Sequence, residues 1–378
     1  MAGIYIHIPY CRQKCHYCNF FSVASAKFMP EVASAIAREA VLQHSYLNGA
    51  TVTSVYFGGG TPSLLHPSLL GGIMGAVTNT FTLSEDAEIT LEANPDDVSR
   101  DSLKEWKELG INRLSMGVQS FRDEDLNYLN RIHTGNKALE CIDLAQDHGF
   151  ENLTIDLIYG FPVLSDDAWS GNLQKIIDRN IPHLSAYALT VEPRTALDVL
   201  IRRGKLAPVD EVQTVRHFRM LMEAMENAGY LHYEISNFCK PDRYARHNTA
   251  YWKGEPYLGL GPSAHSFDGK SRQWNVSGIK EYLQAIETGS IPQGSETLGT
   301  VQRYNEYVMT GLRTMWGCKE EELLQRFGLS YLNDFKTGIG RFIDAELVSY
   351  AKGCYTLTSA GKLMADGIAA DLFADDGM

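Results

Sequence analysis

Over roughly the first 190 residues, short β-branched or aromatic runs alternate with longer helical patterns, and this alternation narrows the fold more than any other feature. Strand candidates are Gly3–Ile8, Ser54–Phe57, Glu88–Glu92, Arg113–Val118, Thr154–Ile158 and Leu184–Leu189. Helix-like stretches lie between them at Glu31–Leu47, Pro67–Asn79, Asp101–Leu109, Lys137–His148 and Asp167–Arg179. Gly110 and Gly149 supply stop signals after two of these helices. Strand–helix repetition at this spacing makes βαβ units and a parallel sheet. Six units are too few for a closed eight-unit barrel of about 250 residues. The expected fold is therefore α/β, a partial, open (β/α)6 TIM-like barrel.

After Pro193 the pattern changes. Asp210–Ala228 reads as one long amphipathic helix ended by Gly229, followed by a strand-like Tyr230–Ile235. Residues 240–275, rich in glycine, proline and aromatics, read as irregular loop. The tail runs helix at Glu320–Phe327, helix at Tyr331–Phe342, then short strands around Lys352-Gly353 and a last helix from Ser359. Helix, helix, hairpin is a winged-helix-like plan. The expected division is a barrel with closing elements over 1–235, an irregular connecting region over 236–300, and a mainly helical domain over 301–378.

Composition excludes several classes. With 46 acidic and 34 basic residues the formal charge is −12, which disfavours nucleic-acid backbones as partners. No run of eighteen apolar residues exists to span a membrane. MAGIYIHIPYC lacks the basic region and long apolar stretch of a signal peptide, so a cytoplasmic location is expected. Seven cysteines, an odd number, do not make a disulfide framework. Cys141, Cys239, Cys318 and Cys354 are scattered, whereas Cys11, Cys15 and Cys18 share eight residues after the first strand.

Three thiolates on one tight loop can converge on a soft metal centre. A structural zinc ion needs a fourth protein ligand. An Fe–S cubane normally takes four cysteines. Held by three, it keeps one iron open to a small molecule. Both readings stay open on spacing alone. The strand ends add to them, because chemistry in α/β barrels sits where strands finish. Ser54–Phe57 runs into Gly58-Gly59-Gly60-Thr61-Pro62-Ser63. The third strand ends on Glu92, the fourth on Gln119, and the fifth carries Asp156 in an apolar run. Arg131, just beyond Gln119, can pair with a ligand carboxylate. Polar groups among apolar neighbours are costly to bury without a partner. On successive strand ends above a cysteine loop, they suggest one lined cavity.

YIHIPYCRQKCHYCNF and GGGTPS together resemble the cluster loop and glycine motif of the radical S-adenosylmethionine (SAM) superfamily. Across essentially the whole chain the likeness is to oxygen-independent coproporphyrinogen III oxidases and their sister group, the HemW heme chaperones. The resemblance implies a [4Fe-4S] cluster held by Cys11, Cys15 and Cys18, with SAM chelating the open iron. Tyr5, Tyr17, Gly59, Gly60, Thr61, Glu92, Gln119, Arg131 and Asp156 match SAM-pocket positions, and Thr190 is a looser match. In that chemistry the reduced cluster gives one electron to the sulfonium.

Within the likeness, the oxidases carry a further cysteine where this chain has Phe20, and an extension before the cluster strand. Both departures favour the chaperones. Arg246-His247-Asn248-Thr249-Ala250-Tyr251-Trp252 matches the HNxxYW motif associated with heme in HemW proteins. His247 would supply an axial nitrogen, and Tyr251 and Trp252 flat faces for a porphyrin. The same three residues could also be ordinary packing. The leading expectation is a heme chaperone with heme and acceptor apo-hemoproteins as partners, a homodimer staying open. A coproporphyrinogen III oxidase and a zinc-binding interaction protein are the alternatives.

Overall fold

The computed structural model describes residues 1–291 and 293–375. Its first half runs β1 (Ala2–Ile8), α1 (Met29–Leu42), β2 (Val52–Gly59), α2 (Pro67–Thr80), β3 (Leu83–Ala93), α3 (Arg100–Glu108), β4 (Arg113–Gln119), α4 (Asp123–Leu129), α5 (Gly135–Asp147), β5 (Asn152–Tyr159), α6 (Asp166–Asp178) and β6 (His183–Ala188). All six strands and five helices expected here are present, and α4 is an extra helix of about two turns after β4. The strands pair in parallel, in sequence order from β1 to β6. The barrel is open, because β6 does not return to β1.

Side chains alternate faces along a strand. Ile4, Ile6, Val55, Phe57, Leu91, Leu114, Met116, Leu153, Ile155 and Leu184 face the helices and form one buried core. The opposite face is polar. Arg113 on β4 reaches Glu88 on β3 at 3.8 Å and donates to Thr90 and Thr154. Ser115 donates to Asp156 at 3.4 Å, and Thr154 meets His183 at 3.0 Å. An eight-stranded barrel fills its interior with branched apolar layers. This one fills its interior with hydrogen-bonding groups.

The next segment runs α7 (Ala196–Arg202), α8 (Glu211–Asn227), β7 (Leu231–Glu234), β8 (Asn237–Cys239), α9 (Arg246–Trp252), β9 (Tyr257–Leu260), β10 (His265–Phe267), β11 (Ser271–Asn275), α10 (Ile279–Glu287) and β12 (Gln293–Thr297). The stretch expected to be irregular is thus largely regular. β8 and β7 continue the sheet beyond β6; β9 pairs in parallel with β1, and β10, β11 and β12 follow antiparallel. These strands are three to five residues long. A run that short shows no readable period, and its pairing depends on partners far away in the chain.

The last segment comprises α11 (Thr300–Leu312), β13 (Cys318–Lys319), α12 (Glu320–Phe327), α13 (Leu329–Asp344), β14 (Val348–Ala351), β15 (Cys354–Leu357), α14 (Ser359–Lys362) and α15 (Ala365–Ala370). Its small sheet has the order β13-β15-β14. Tyr304, Val308, Leu312, Leu323, Phe335, Ile339, Val348 and Ile368 belong to a separate core. Lys352 and Gly353 turn the hairpin with φ of 51° and 77°, the left-handed pair that a two-residue turn demands. The winged-helix-like plan is present. A bridge between Glu234 and Thr314 and an ion pair between Arg313 and Glu234 (3.3 Å) dock this unit on the barrel's β7 side.

One buried carboxylate ties the added strands to the barrel helices. Glu39 on α1 accepts from Gln43 (3.1 Å), Gly261 N (2.8 Å), Asn275 (2.7 Å) and Tyr282 (2.6 Å). Replacing it leaves those buried donors unpaired, each at a cost of about 1–3 kcal/mol. Glu39→Ala is therefore expected to lose about 3 kcal/mol or more in urea unfolding, and Glu39→Gln clearly less. Equal, small losses in both variants would show that the network does not hold the added strands.

Candidate functional site

The cysteine loop leaves β1 and is pinned before it reaches α1. Cys11 N donates to Val23 O (3.0 Å) and Val23 N to Pro9 O (2.7 Å). From the other side, Gly60 N donates to Ile8 O (2.8 Å) and Thr61 N to Tyr10 O (2.7 Å). The glycines make this close approach geometrically feasible. A Cβ on Gly60 would lie 2.5 Å from the Tyr10 carbonyl oxygen, and Gly59 takes φ +108°. The glycine motif thus presses the end of β2 against the cysteine loop.

All three loop cysteines are half-buried free thiols. Thr61 donates its hydroxyl to Cys11 Sγ (3.6 Å), and Arg131 donates to Cys15 Sγ (3.4 Å). Burial, foremost, raises the Cys18 pKa. Among the described residues no three His, Cys, Asp or Glu side chains are grouped as ligands for one ion. A cubane takes one thiolate per iron, so its sulfurs need not crowd a single point. A cationic guanidinium on one sulfur and a hydroxyl on another suit thiolates.

Above the loop, the strand ends enclose a cavity of about 520 Å³. Cys11, Cys15, Cys18, Tyr17, Gly59, Gly60, Thr61, Glu92, Gln119, Arg131, Asp156 and Thr190 all line it. The one SAM-pocket candidate that does not is Tyr5. It lies deeper, hydrogen-bonded to His7 Nδ1 (3.1 Å) and stacked near Tyr56. Thr190 is exposed at the rim. Gln119 enters through a register shift at the end of β4 and a left-handed backbone, φ 68°. Sequence reasoning missed Asn94, Arg113, Ser115, Ser185 and Tyr187, which also line the cavity. Arg113, Ser115, Ser185 and Tyr187 sit at alternate positions on β4 and β6, so the period-two pattern was the available signal.

Arg131 is central to the wall. It donates to Asn94 Oδ1 (2.6 Å) and the Gly117 carbonyl, while its buried Nε has no partner among the described residues. Burial works to lower its pKa, but Tyr17 and Cys15 beside it outweigh that and the net shift is upward. Two carboxylates share the cavity with it. Burial raises Glu92 to about 7, with Asp156 adding to the shift, although Tyr56 (2.8 Å) and Gly59 N (3.2 Å) donate to it. Burial likewise raises Asp156 to about 6 against the pull of Arg113. The cavity thus holds paired carboxylates near their titration range, a guanidinium with an unused donor, and three thiols at one edge.

The HNTAYW segment forms α9, which sits against β1 and β2 and separates this cavity from a second one. Asn248 lines the first cavity. Tyr251 and Trp252 line a second cavity of about 830 Å³. His247 lies between. It is buried, with Nδ1 on Ser54 Oγ (2.8 Å) and Nε2 on Tyr251 Oη (2.8 Å), and its ring stacks on Tyr56 at 5.2 Å. Burial, and then Arg113, pushes its pKa down to about 3. Gly3 makes room: a Cβ there would meet the imidazole at 3.1 Å. Both ring nitrogens of His247, the expected axial heme ligand, are thus hydrogen-bonded to hydroxyls, which fasten α9 to the barrel.

Residues 5–176 match the Radical SAM superfamily, and residues 301–364 match the HemN C-terminal domain. The chain is similar to the heme chaperone HemW of Bacillus subtilis, 31% identical over 97% of this chain and 98% of that protein. It is 33% identical to HemW of Mycobacterium tuberculosis over 98% of this chain and 94% of that one. HemW of Escherichia coli is 37% identical over 70% of this chain and 69% of its own. Among solved structures, the radical SAM enzyme coproporphyrinogen III oxidase (HemN) of Escherichia coli superposes with a TM-score of 0.85. That match is at 24% identity and covers 99% of this chain and 90% of that one. It speaks to the fold alone.

Raised carboxylate pKa values have a stability consequence. Glu92 and Asp156 bind protons more tightly folded than unfolded, so stability is present at low pH and is lost as pH rises through about 6 to 7. Both line an open cavity, so water screens the effect. Glu92→Gln is expected to stabilise the ligand-free protein at pH 8 by about 1 kcal/mol, to keep less than half of that advantage at pH 5.5 and to lose it near pH 4. Urea titrations at these pH values measure it; no gain at pH 8 would mean that Glu92 is not held against its charge.

Proposed function

We propose, for a chain that belongs to the HemW family and carries a radical SAM domain, that it binds heme and delivers it to acceptor hemoproteins, with a [4Fe-4S] cluster and SAM housed in the barrel. The observation that carries this reading is the pair of cavities on either side of α9. One is rimmed by thiols and carboxylates; the other is walled by aromatics. A chaperone needs its cargo apart from its cluster, and this arrangement supplies two compartments.

The residues of the first cavity suit the cluster and SAM. Cys11, Cys15 and Cys18 would hold the cluster. Arg131 and Thr61 already donate to two of the sulfurs and would stabilise them as thiolates. The backbone at Gly59 and Gly60 lets a ligand lie close to β2. Glu92, Asp156 and Gln119 offer acceptors to SAM's donors, and the unused Nε of Arg131 offers one donor more. When bound, the cluster and SAM supply one-electron chemistry at the sulfonium. Phe20, 64% exposed at the mouth of the same cavity, stands where the oxidases place a further cysteine. All seven cysteines are free thiols, which suits a reducing compartment such as the cytoplasm. No described helix is long and apolar enough to cross a membrane.

Coproporphyrinogen oxidation is the second reading, supported by the shared fold. One anaerobic, cluster-replete sample separates the two. The expected outcome is a saturable Soret shift with hemin, and no protoporphyrinogen from coproporphyrinogen III with SAM present. Turnover without hemin binding would reverse the assignment. In parallel, Cys15→Ala is expected to lose the visible absorbance and iron of the cluster, since two cysteines cannot hold a cubane. Full retention of iron would mean that the ligands are other residues.

A further inference from the structure

The seam between the barrel and the C-terminal unit holds an amine that lines neither cavity. Lys362 closes α14 on the C-terminal side, and its Nζ lies 3.0 Å from Nδ1 of His232 on β7. The tautomer of that imidazole is set from its far edge. Nε2 meets the Ile235 carbonyl at 3.0 Å, and a carbonyl only accepts, so the ring proton sits on Nε2 and Nδ1 keeps a bare lone pair. The ring is fixed by its neighbours, stacked on Phe238 with centroids 4.0 Å apart and met edge-on by Phe218 at 6.0 Å. Burial, and then Lys362 itself, lowers the His232 pKa to about 3, so this acceptor is neutral near pH 7.

The amine therefore lacks the partner that a buried lysine needs to stay charged. Lys362 is half-buried, and it forms no ion pair among the described residues. A lysine that loses water without gaining a carboxylate is driven toward its neutral form. Burial does lower the Lys362 pKa to about 8, against the upward pull of Glu226 on α8. A neutral ε-amine is a nucleophile, whereas an ammonium has no lone pair to use. Near pH 8 the neutral fraction is then about a hundredfold that of a lysine with the usual pKa of about 10.4. Nucleophilicity falls with basicity, with a Brønsted slope of about 0.4–0.5 for thiolates, and a similar slope for the amine leaves about tenfold in rate.

We infer that Lys362 is a site of covalent acylation, taking its acyl group from a small activated donor, an acyl phosphate or an acyl thioester. The Nζ lone pair attacks the acyl carbon and an N–C bond forms. The C–O bond to phosphate, or the C–S bond to the thiol, breaks, and its electron pair leaves with phosphate or thiolate. The proton shed by Nζ passes to solvent. His232 orients the amine through Nδ1 and is too weak a base to keep that proton. The resulting amide carries no charge, so acylation removes a half-buried cation from the seam that Arg313 and Glu234 also hold.

The test incubates full-length protein at pH 8 with acetyl phosphate and, separately, with acetyl-coenzyme A, and follows each lysine by peptide mass spectrometry. Exposed Lys280 and Lys352 are the internal references. With at least one donor, Lys362 is expected to be acetylated about tenfold faster than either reference in the native protein, and to lose that advantage in denaturing urea. Reaction with only one donor assigns the source of the acyl group; reaction with both admits both sources. A Lys362 rate no greater than the references with either donor would overturn the site. An advantage that survives in urea would overturn it as well, since its cause would then be the local sequence and not the seam. Every arm uses the wild-type chain, so the result does not depend on whether a substituted one folds.

Discussion

A parallel strand has two faces, and in this barrel they carry opposite chemistry. Ile4, Val55, Leu91, Met116 and Ile155 point outward into the helix-covered core, so the hydrophobic effect closes the sheet against α1, α2, α3, α5 and α6. Their neighbours along the same strands point inward, and none can be left without a partner. Arg113 therefore links Glu88, Thr90 and Thr154, and Ser115 meets Asp156. A polar interior cannot close as tightly as layers of branched side chains. It stays open at the strand ends, and that opening is the first cavity.

An open polar barrel also needs a plug at the other end, and α9 supplies it. His247 serves as the fastener. Its two nitrogens bridge Ser54 on β2 to Tyr251 on its own helix, and Gly3 leaves the notch in β1 that admits the ring. The low pKa of about 3 belongs to this role, since burial, and then Arg113, disfavour a charged imidazole there. One short helix thus presents Asn248 to the thiol-rimmed cavity and Tyr251 and Trp252 to the aromatic one. Both compartments thus take lining residues from that helix.

Carboxylates in the first cavity show the cost of such an interior. Glu92 and Asp156 are held above their ordinary range by burial, and Asp156 adds to the shift of Glu92. Buried like charges of this kind destabilise a fold, and they persist where a ligand offsets them. Arg131 has the complementary character, a guanidinium whose buried Nε is unsatisfied by the chain itself. These are the groups that the proposed SAM and cluster would engage.

The six strands, the helices between them, the cysteine loop and the strand-end residues Glu92, Gln119 and Asp156 were legible in the sequence. Each depends on a local pattern: periodicity, a capping signal, or the spacing of three cysteines. The polar face was legible as well, in every second residue of β4 and β6, although it was not recognised there as a cavity lining. What only the tertiary structure decided depends on residues distant in the chain. The strands β9 to β12 are too short to announce themselves and exist because β1 offers an edge to pair with. Tyr5 matches a pocket motif but lies beneath the floor, because its hydroxyl is taken by His7. His247 reads as a metal ligand in a heptapeptide, and only the fold shows that Ser54, 193 residues away, meets its Nδ1. A sequence determines which side chains can ligate; hydrogen bonds made across the fold decide which still have a lone pair to offer.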